Sequence, residues 1–107
     1  MKRGEVWWVN FDPSVGGEIR KQRPAIIVSN NSSNKHLNRV QVVPLTSRGG
    51  KLFPSEAHIN FDGKQGKALA NQLTTVSKKR MMSKAGEISA AEMEAVEEAI
   101  FIQLGLA

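Results

Sequence analysis

The sequence predicts a small, mainly β domain of the α+β class, with antiparallel strands and one C-terminal helix. Three observations carry this. Short alternating or β-branched apolar runs recur from Val6 to Val76, punctuated by Gly, Pro, Asn and Asp. Only the C-terminal stretch repeats apolar residues at helical spacing behind a capping signal. With 107 residues and 40% apolar content, there is enough for one modest core and no more. A single domain spanning residues 1–107 is expected.

Residues 4–11, Gly4-Glu5-Val6-Trp7-Trp8-Val9-Asn10-Phe11, form the first strand. Adjacent Trp7 and Trp8 point to opposite faces of it, so one enters the core and the other is left to cover an interface. Asp12-Pro13-Ser14-Val15-Gly16-Gly17 opens a turn-rich loop running to about Gln22. Its glycine pair permits close backbone approach to a ligand. In Lys21-Gln22-Arg23-Pro24-Ala25-Ile26-Ile27-Val28-Ser29, a basic polar run then meets a proline and turns apolar. Ala25 to Val28 reads as a buried strand. Pro24 lacks an amide hydrogen, which suits a strand's first position or an edge, and it biases Arg23 toward extended backbone. An arginine is thereby held at the mouth of a rigid strand.

Asn30 to His36 reads as a polar loop with little apolar anchoring. Arg39 to Thr46 alternates and forms the next strand, antiparallel to 25–29, with Pro44 marking an edge or bulge near its end. A Gly-rich basic loop, Ser47-Arg48-Gly49-Gly50-Lys51, follows directly. Glu56 to Phe61 is a short strand, Asp62-Gly63 a turn, and Lys67 to Val76 one further strand. Lys78-Lys79-Arg80 is a basic patch on a single helical turn, and Ala85 to Ile88 a last short strand. Ser89-Ala90-Ala91-Glu92 fits a capping box. Met93, Val96, Ile100 and Leu104 give one apolar stripe on a helix over about 90–104.

Charge divides the chain. All fifteen Lys and Arg lie in residues 1–84 beside five acids, while residues 85–107 hold five acids and no Lys or Arg. A body this basic fits a polyanion-binding surface. The acids at the start of the final helix are explained by the helix dipole.

No cysteine is present, which excludes a disulfide framework, a thiolate nucleophile and thiolate metal ligands. His36 and His58 have no paired spacing, so neither a metal nor another cofactor is expected. Gly66-Lys67 lacks the Gly at 61 and the Ser or Thr at 68 that a phosphate loop requires. There is no nucleophile-elbow signature. No run approaches the roughly 18 apolar residues of a membrane span, and a cytoplasmic protein is expected.

What remains is a set of cations and hydroxyls at strand ends. Arg23 opens one strand and Thr46 closes its antiparallel neighbour, so the two lie at the same side of the sheet. An arginine fork binds phosphate through two hydrogen bonds, and a nearby hydroxyl adds a third. From pattern alone, a surface arginine and a threonine placed by β propensity explain the pair equally well.

Arg3-Gly4-Glu5-Val6-Trp7, Phe11-Asp12-Pro13, Gly17-Glu18, Gln22 to Ser29, Val43-Pro44-Leu45-Thr46-Ser47 and Ala68-Leu69-Ala70-Asn71-Gln72 occur together in this order. The set resembles the MazF/PemK (Kid) family of toxin–antitoxin ribonucleases over nearly the whole chain. The resemblance implies a small SH3-like barrel of the CcdB/PemK type, acting as a homodimer. It further implies metal-independent, sequence-selective cleavage of single-stranded RNA to 2′,3′-cyclic phosphate and 5′-hydroxyl ends. The family's catalytic arginine, threonine and loop glutamate fall on Arg23, Thr46 and Glu18. Arg20, Lys21, Gln22, Ser47, Arg48 and Gln72 are candidates for RNA binding and base reading. The implied partner is a cognate MazE-like antitoxin whose acidic tail occupies the basic groove. Asn71 stands where some relatives carry an acid before the glutamine, and Arg20 and Lys21 make the loop more basic than in many. Two rival readings remain: a non-catalytic gyrase poison resembling CcdB, and a plain RNA-binding module of SH3-like shape.

Overall fold

Two central strands are buried on both faces, and the fold is built around them. In this computed structural model, which describes residues 1–13 and 15–107, they are β2 (Gln22–Ile27) and β3 (Arg39–Thr46). Ile26 and Val43 face one core with Val6, Leu45 and Ile59; Ala25, Ile27 and Val42 face a second with Val9, Val40 and Val76. Burial on both sides is why 25–28 is a continuous apolar run rather than an alternating one.

The other elements close over these two cores. They are β1 (Glu5–Asn10), α1 (Asn31–His36), β4 (Glu56–Phe61), β5 (Lys64–Leu69), β6 (Thr74–Ser77), β7 (Met81–Glu87) and α2 (Ala90–Gln103). Among the described residues all strand pairs are antiparallel, in the order β4-β5-β3-β2-β1-β7, with β6 also on β3. The outer edge of β3 pairs first with β6 and then with β5, which curls the sheet into a half-barrel. This is the SH3-like architecture the resemblance implies. Helix α2 packs on β4 and sends Val96 and Ala99 into the first core. No helix among the described residues is long and apolar enough to cross a membrane.

The Ser89/Glu92 capping box is present in full. Val96 is buried and Met93 and Ile100 are partly so, but Leu104 is 55% exposed, so the stripe seals the core only as far as Ile100. Trp7 packs against the second core while Trp8 stays 39% exposed on the opposite face, as their adjacency requires.

Four elements differ from expectation. Strand β2 begins at Gln22, so Arg23 and Pro24 lie within it, paired with Val9 and Trp8 of β1. Residues 31–36 form a short helix instead of a loop. Asn30 caps it, and its Asn34 is buried, donating to the Ser29 carbonyl at 2.9 Å while the Lys78 ammonium holds its own carbonyl. The stretch 67–76 divides into β5 and β6 at a 3₁₀ turn, Ala70–Gln72, where β3 changes partner. Strand β7 begins at Met81 rather than Ala85, because its pairing with β1 runs from Glu5↔Glu87 to Val9↔Met81.

Candidate active site

One proline ends the central ladder and a second marks where the outer edge of β3 changes partner. Strands β2 and β3 pair from Ile27↔Val42 to Ala25↔Pro44 and no further. The Val28 amide donates to the Gln41 carbonyl at 2.9 Å. By the alternation of antiparallel bonding, Ile26–Val43 is then a hydrogen-bonded pair and Pro24–Leu45 would be the next. Pro24 has no hydrogen to donate, so the ladder ends there. By the same alternation, the missing amide hydrogen of Pro44 falls on the outer edge of β3, between its pairing with β6 and with β5.

Beyond that point β3 follows β5, pairing Leu45↔Ala68 and Thr46↔Lys67. Gly66 permits the close approach: a Cβ there would lie 2.5 Å from the Thr46 carbonyl oxygen. Arg23 is left on β2 and lines a cleft with Thr46 where the strands no longer pair. The two residues share walls of two adjoining cavities of about 370 and 400 Å³.

The Arg23 guanidinium is exposed and makes one long bond, from Nε to the Arg20 carbonyl at 3.4 Å. Its remaining donors suit a bidentate anion. Thr46 Oγ1 accepts from the Arg48 amide at 3.2 Å, which starts the basic loop and orients the hydroxyl. Glu18 lines the larger cavity with Arg23, Thr46 and Arg48. Its Oε1 accepts from the Val15 amide at 2.7 Å, so the carboxylate also holds its own loop.

Around this centre the predicted RNA-binding residues separate into groups. Arg20, Arg48 and Gln72 line the larger cavity, and Gln22 and Ser47 the smaller. Gln72 Nε2 donates to the Gly17 carbonyl at 3.2 Å, tying the late glutamine to the glycine loop. Lys21 lines neither cavity. It sits at the loop's base with φ 62°, its amide on Asp12 Oδ1 at 2.9 Å and its carbonyl taking the Phe11 amide at 2.8 Å. The Arg80 guanidinium completes that anchor on the carbonyls of Asn10 and Asp12.

The chain's sequence and its fold both point to one family. Residues 2–104 match the model of the PemK-like, MazF-like toxins of type II toxin–antitoxin systems. The chain belongs to that family. It is 36% identical to the endoribonuclease MazF9 of Mycobacterium tuberculosis over 115 residues, covering 99% of this chain and 98% of the relative. MazF from Deinococcus radiodurans superposes with a TM-score of 0.87 at 28% identity, covering 98% and 96% of the two chains. A mycobacterial endoribonuclease solved in complex with its cognate antitoxin gives 0.84 at 26% identity, covering 100% and 97%.

The structure of this MazF-type toxin adds a buried ion pair that the sequence reading missed. Lys67, opposite Thr46 in the ladder, is buried, with Nζ 2.6 Å from the Lys51 carbonyl and 3.3 Å from Glu56 Oε1. The Phe53 amide on Glu56, aided by Lys67, holds that carboxyl below its usual range despite partial desolvation. Both residues line the larger cavity. Gly66-Lys67 had drawn notice only as a failed phosphate loop, and the polar start of β5, Lys64-Gln65-Gly66, gave no local sign that Lys67 is buried.

Proposed function

We propose that this toxin is a metal-independent endoribonuclease that cuts single-stranded RNA at selected sequences. It leaves 2′,3′-cyclic phosphate and 5′-hydroxyl ends. The observation that carries the reading is the Arg23–Thr46 cleft, a fixed gap with an arginine fork on one wall and an oriented hydroxyl on the other. Membership of the family and 36% identity to a named endoribonuclease support it.

RNA supplies its own nucleophile, the 2′-hydroxyl beside each phosphate. The protein must splay the strand, stabilise the pentacoordinate phosphorane and manage two protons. Arg23 clamps the non-bridging oxygens, and Thr46 hydrogen-bonds one of them as charge builds. Preorganised donors of this kind contribute about 3 kcal/mol each to lowering the barrier. The Glu18 carboxylate takes the 2′ proton as the O2′–P bond forms. The P–O5′ bond breaks and the 5′ oxygen leaves with a proton passed on by the Arg23 guanidinium, which water restores as Glu18 gives up the 2′ proton to solvent. Arg20, Gln22, Ser47, Arg48 and Gln72 surround this centre and read base edges, as expected for recognition of splayed single strands. Lys21, at the loop's base, contributes charge to the RNA backbone.

The toxin works as a homodimer in the cytoplasm and is neutralised by a MazE-like antitoxin. The acidic tail of that partner occupies the basic cleft and folds as it binds. The complex of a similar mycobacterial endoribonuclease with its cognate antitoxin supports that partnership.

The deciding experiment incubates a long, unstructured RNA with the toxin alone in EDTA and maps the product 5′ ends. Discrete cuts with 5′-hydroxyl ends, lost in Arg23→Ala, establish the reading. Intact RNA with folded protein overturns it.

A further inference from the structure

Arg23 and Thr46 form a shared wall, and the cavity on one side of it is unlike its neighbour. The larger cavity is lined by the charged loop residues already described. The smaller opens onto Trp8, Phe61 and Pro24, with Gln22, Asp62 and Lys64 around its rim. Trp8 and Phe61 are packed edge to face, their ring centroids 6.5 Å apart and their planes at 69°. Each is held by its element. Trp8 lies mid-strand in β1, paired with Pro24 and Ser83, and Phe61 ends β4 with its ring edge against Gly86.

An aromatic pair fixed this way keeps its position without a ligand, yet Trp8 remains 39% exposed. A half-exposed indole on a strand face presents a flat apolar surface, and among the described residues Phe61 is the aromatic ring packed against it. Its setting identifies what covers it. The cavity is continuous with the proposed phosphate clamp at Arg23 and is lined by two further cations, Lys64 and Lys67, the latter paired with Glu56. Its volume of about 370 Å³ falls within the range of small-ligand pockets. A planar apolar group attached to a phosphate fits that combination, and in single-stranded RNA that group is the nucleobase.

We propose that Trp8, braced by Phe61, forms a stacking subsite for the nucleobase on one side of the phosphate clamped by Arg23 and Thr46. The inference rests on the endoribonuclease reading. It adds stacking to the smaller cavity, where Gln22 and Ser47 stand beside Trp8, while the larger holds Arg20, Arg48 and Gln72. Stacking tolerates any base because every base has a π face, so the Trp8 ring itself sets affinity and geometry more than sequence.

The test couples protein and substrate changes. Wild type, Trp8→Leu and Trp8→Phe are compared on a short RNA holding one cleavage site, and on the same RNA made abasic at the nucleotide before or after the cut. Trp8→Leu is expected to lower kcat/KM about 10- to 100-fold on intact RNA. At one of the two positions the abasic change should cost wild type the same factor and cost Trp8→Leu nothing further. Trp8→Phe should keep most activity and retain the coupling. Additive losses at both positions overturn the subsite, as does Trp8→Leu cutting like wild type. Binding of an analogue carrying a 2′-deoxy sugar at the cut reads the same coupling without turnover. Coupled binding by a wild type that never cuts RNA keeps the subsite and removes the nuclease reading; a wild type that neither binds nor cuts removes both.

Discussion

Arg23 and Thr46 are the pair that would come next but one in the β2–β3 ladder, and they do not pair. The register that matches Ala25 with Pro44 would set Arg23 opposite Thr46 had the strands stayed together. Pro24 stops the ladder, while on the opposite edge of β3 Thr46 stays paired with Lys67. The cleft is therefore a gap between two strands that remain zipped to other partners. Arg23 is fixed by β1 through Val9, and Thr46 by β5. Rigid elements on both sides hold the two groups in place, as a phosphate clamp requires.

Replacing Arg23 tests the clamp. Arg23→Ala should lower kcat by at least 100-fold, on the order of 3 kcal/mol of transition-state stabilisation. The melting temperature should hardly change, because the side chain is exposed and, among the described residues, bonds only to the Arg20 carbonyl. Arg23→Lys should not rescue, since an ammonium lacks the planar fork. Turnover on a defined RNA together with a thermal melt decides it, and substantial activity in a folded Arg23→Ala removes Arg23 from the mechanism.

Pro24→Ala should damage activity without damaging the fold. The new amide can donate to the Leu45 carbonyl, adding a ladder bond worth about 1 kcal/mol. The alanine chain is also freer when unfolded, which offsets roughly 0.4–1 kcal/mol of that gain. Stability should stay nearly level while the zipped strands draw Arg23 toward Thr46 and narrow the cleft. Hydrogen exchange should show a protected amide at position 24 alongside slower RNA cleavage. An exchanging amide with full turnover would show that Pro24 is not the wedge.

How much of this was legible in the sequence depends on how local each signal was. The Ser89 capping box, the Asp62-Gly63 turn and the limits of β3 and β4 are short-range patterns, and the structure holds them as read. Helix α1 was not legible. Its anchor is one buried asparagine, Asn34, satisfied by Ser29 before it and Lys78 far along the chain. The break at Ala70–Gln72 follows from β3 exchanging neighbours, a tertiary event that 67–76 does not advertise. At the site, pattern alone left the Arg23–Thr46 pair at even odds, and only the resemblance singled it out. The Lys67–Glu56 pair and the Trp8–Phe61 contact each join distant residues, so neither had a local signature.

Gly66→Ala should be among the most harmful small substitutions. The added methyl would meet the Thr46 carbonyl oxygen at 2.5 Å, and backbone cannot swing aside as a side chain can. Either β5 parts from β3 or Thr46 shifts, at a cost of about 1–3 kcal/mol. Cleavage should fall together with stability, because the displaced carbonyl belongs to Thr46, whose hydroxyl is part of the proposed clamp. Urea unfolding and turnover of the same preparation test this; a variant as stable and active as wild type would mean that β3 and β5 have slack here.

Glu5 should set part of the toxin's acid sensitivity. Burial pushes its carboxyl up, but the Trp7 indole N–H at 2.9 Å, the Lys2 amide at 3.0 Å and the Lys84 ammonium at 3.3 Å outweigh it. The pKa falls from 4.5 to about 2. A carboxylate with a folded pKa below its unfolded one stabilises the fold fully above the unfolded value. That contribution is lost as pH falls from about 4.5 toward 2, and its full worth is on the order of 3 kcal/mol. Glu5→Gln should therefore be less stable than wild type at pH 7, and the gap should close as pH drops through this window. Urea melts of both proteins at pH 7, 4 and 3 would show it. A gap that stays constant with pH would mean that Glu5 acts through packing and not through its charge. The Arg3-Gly4-Glu5-Val6-Trp7 block would then need another physical account. As the contacts stand, Arg3 ties β1 to α2 through Glu97 at 2.9 Å, while Glu5 gathers Trp7, Lys2 and Lys84. The Arg3-to-Trp7 motif is thus a fold anchor, and the chemistry proposed above lies a strand away at Arg23.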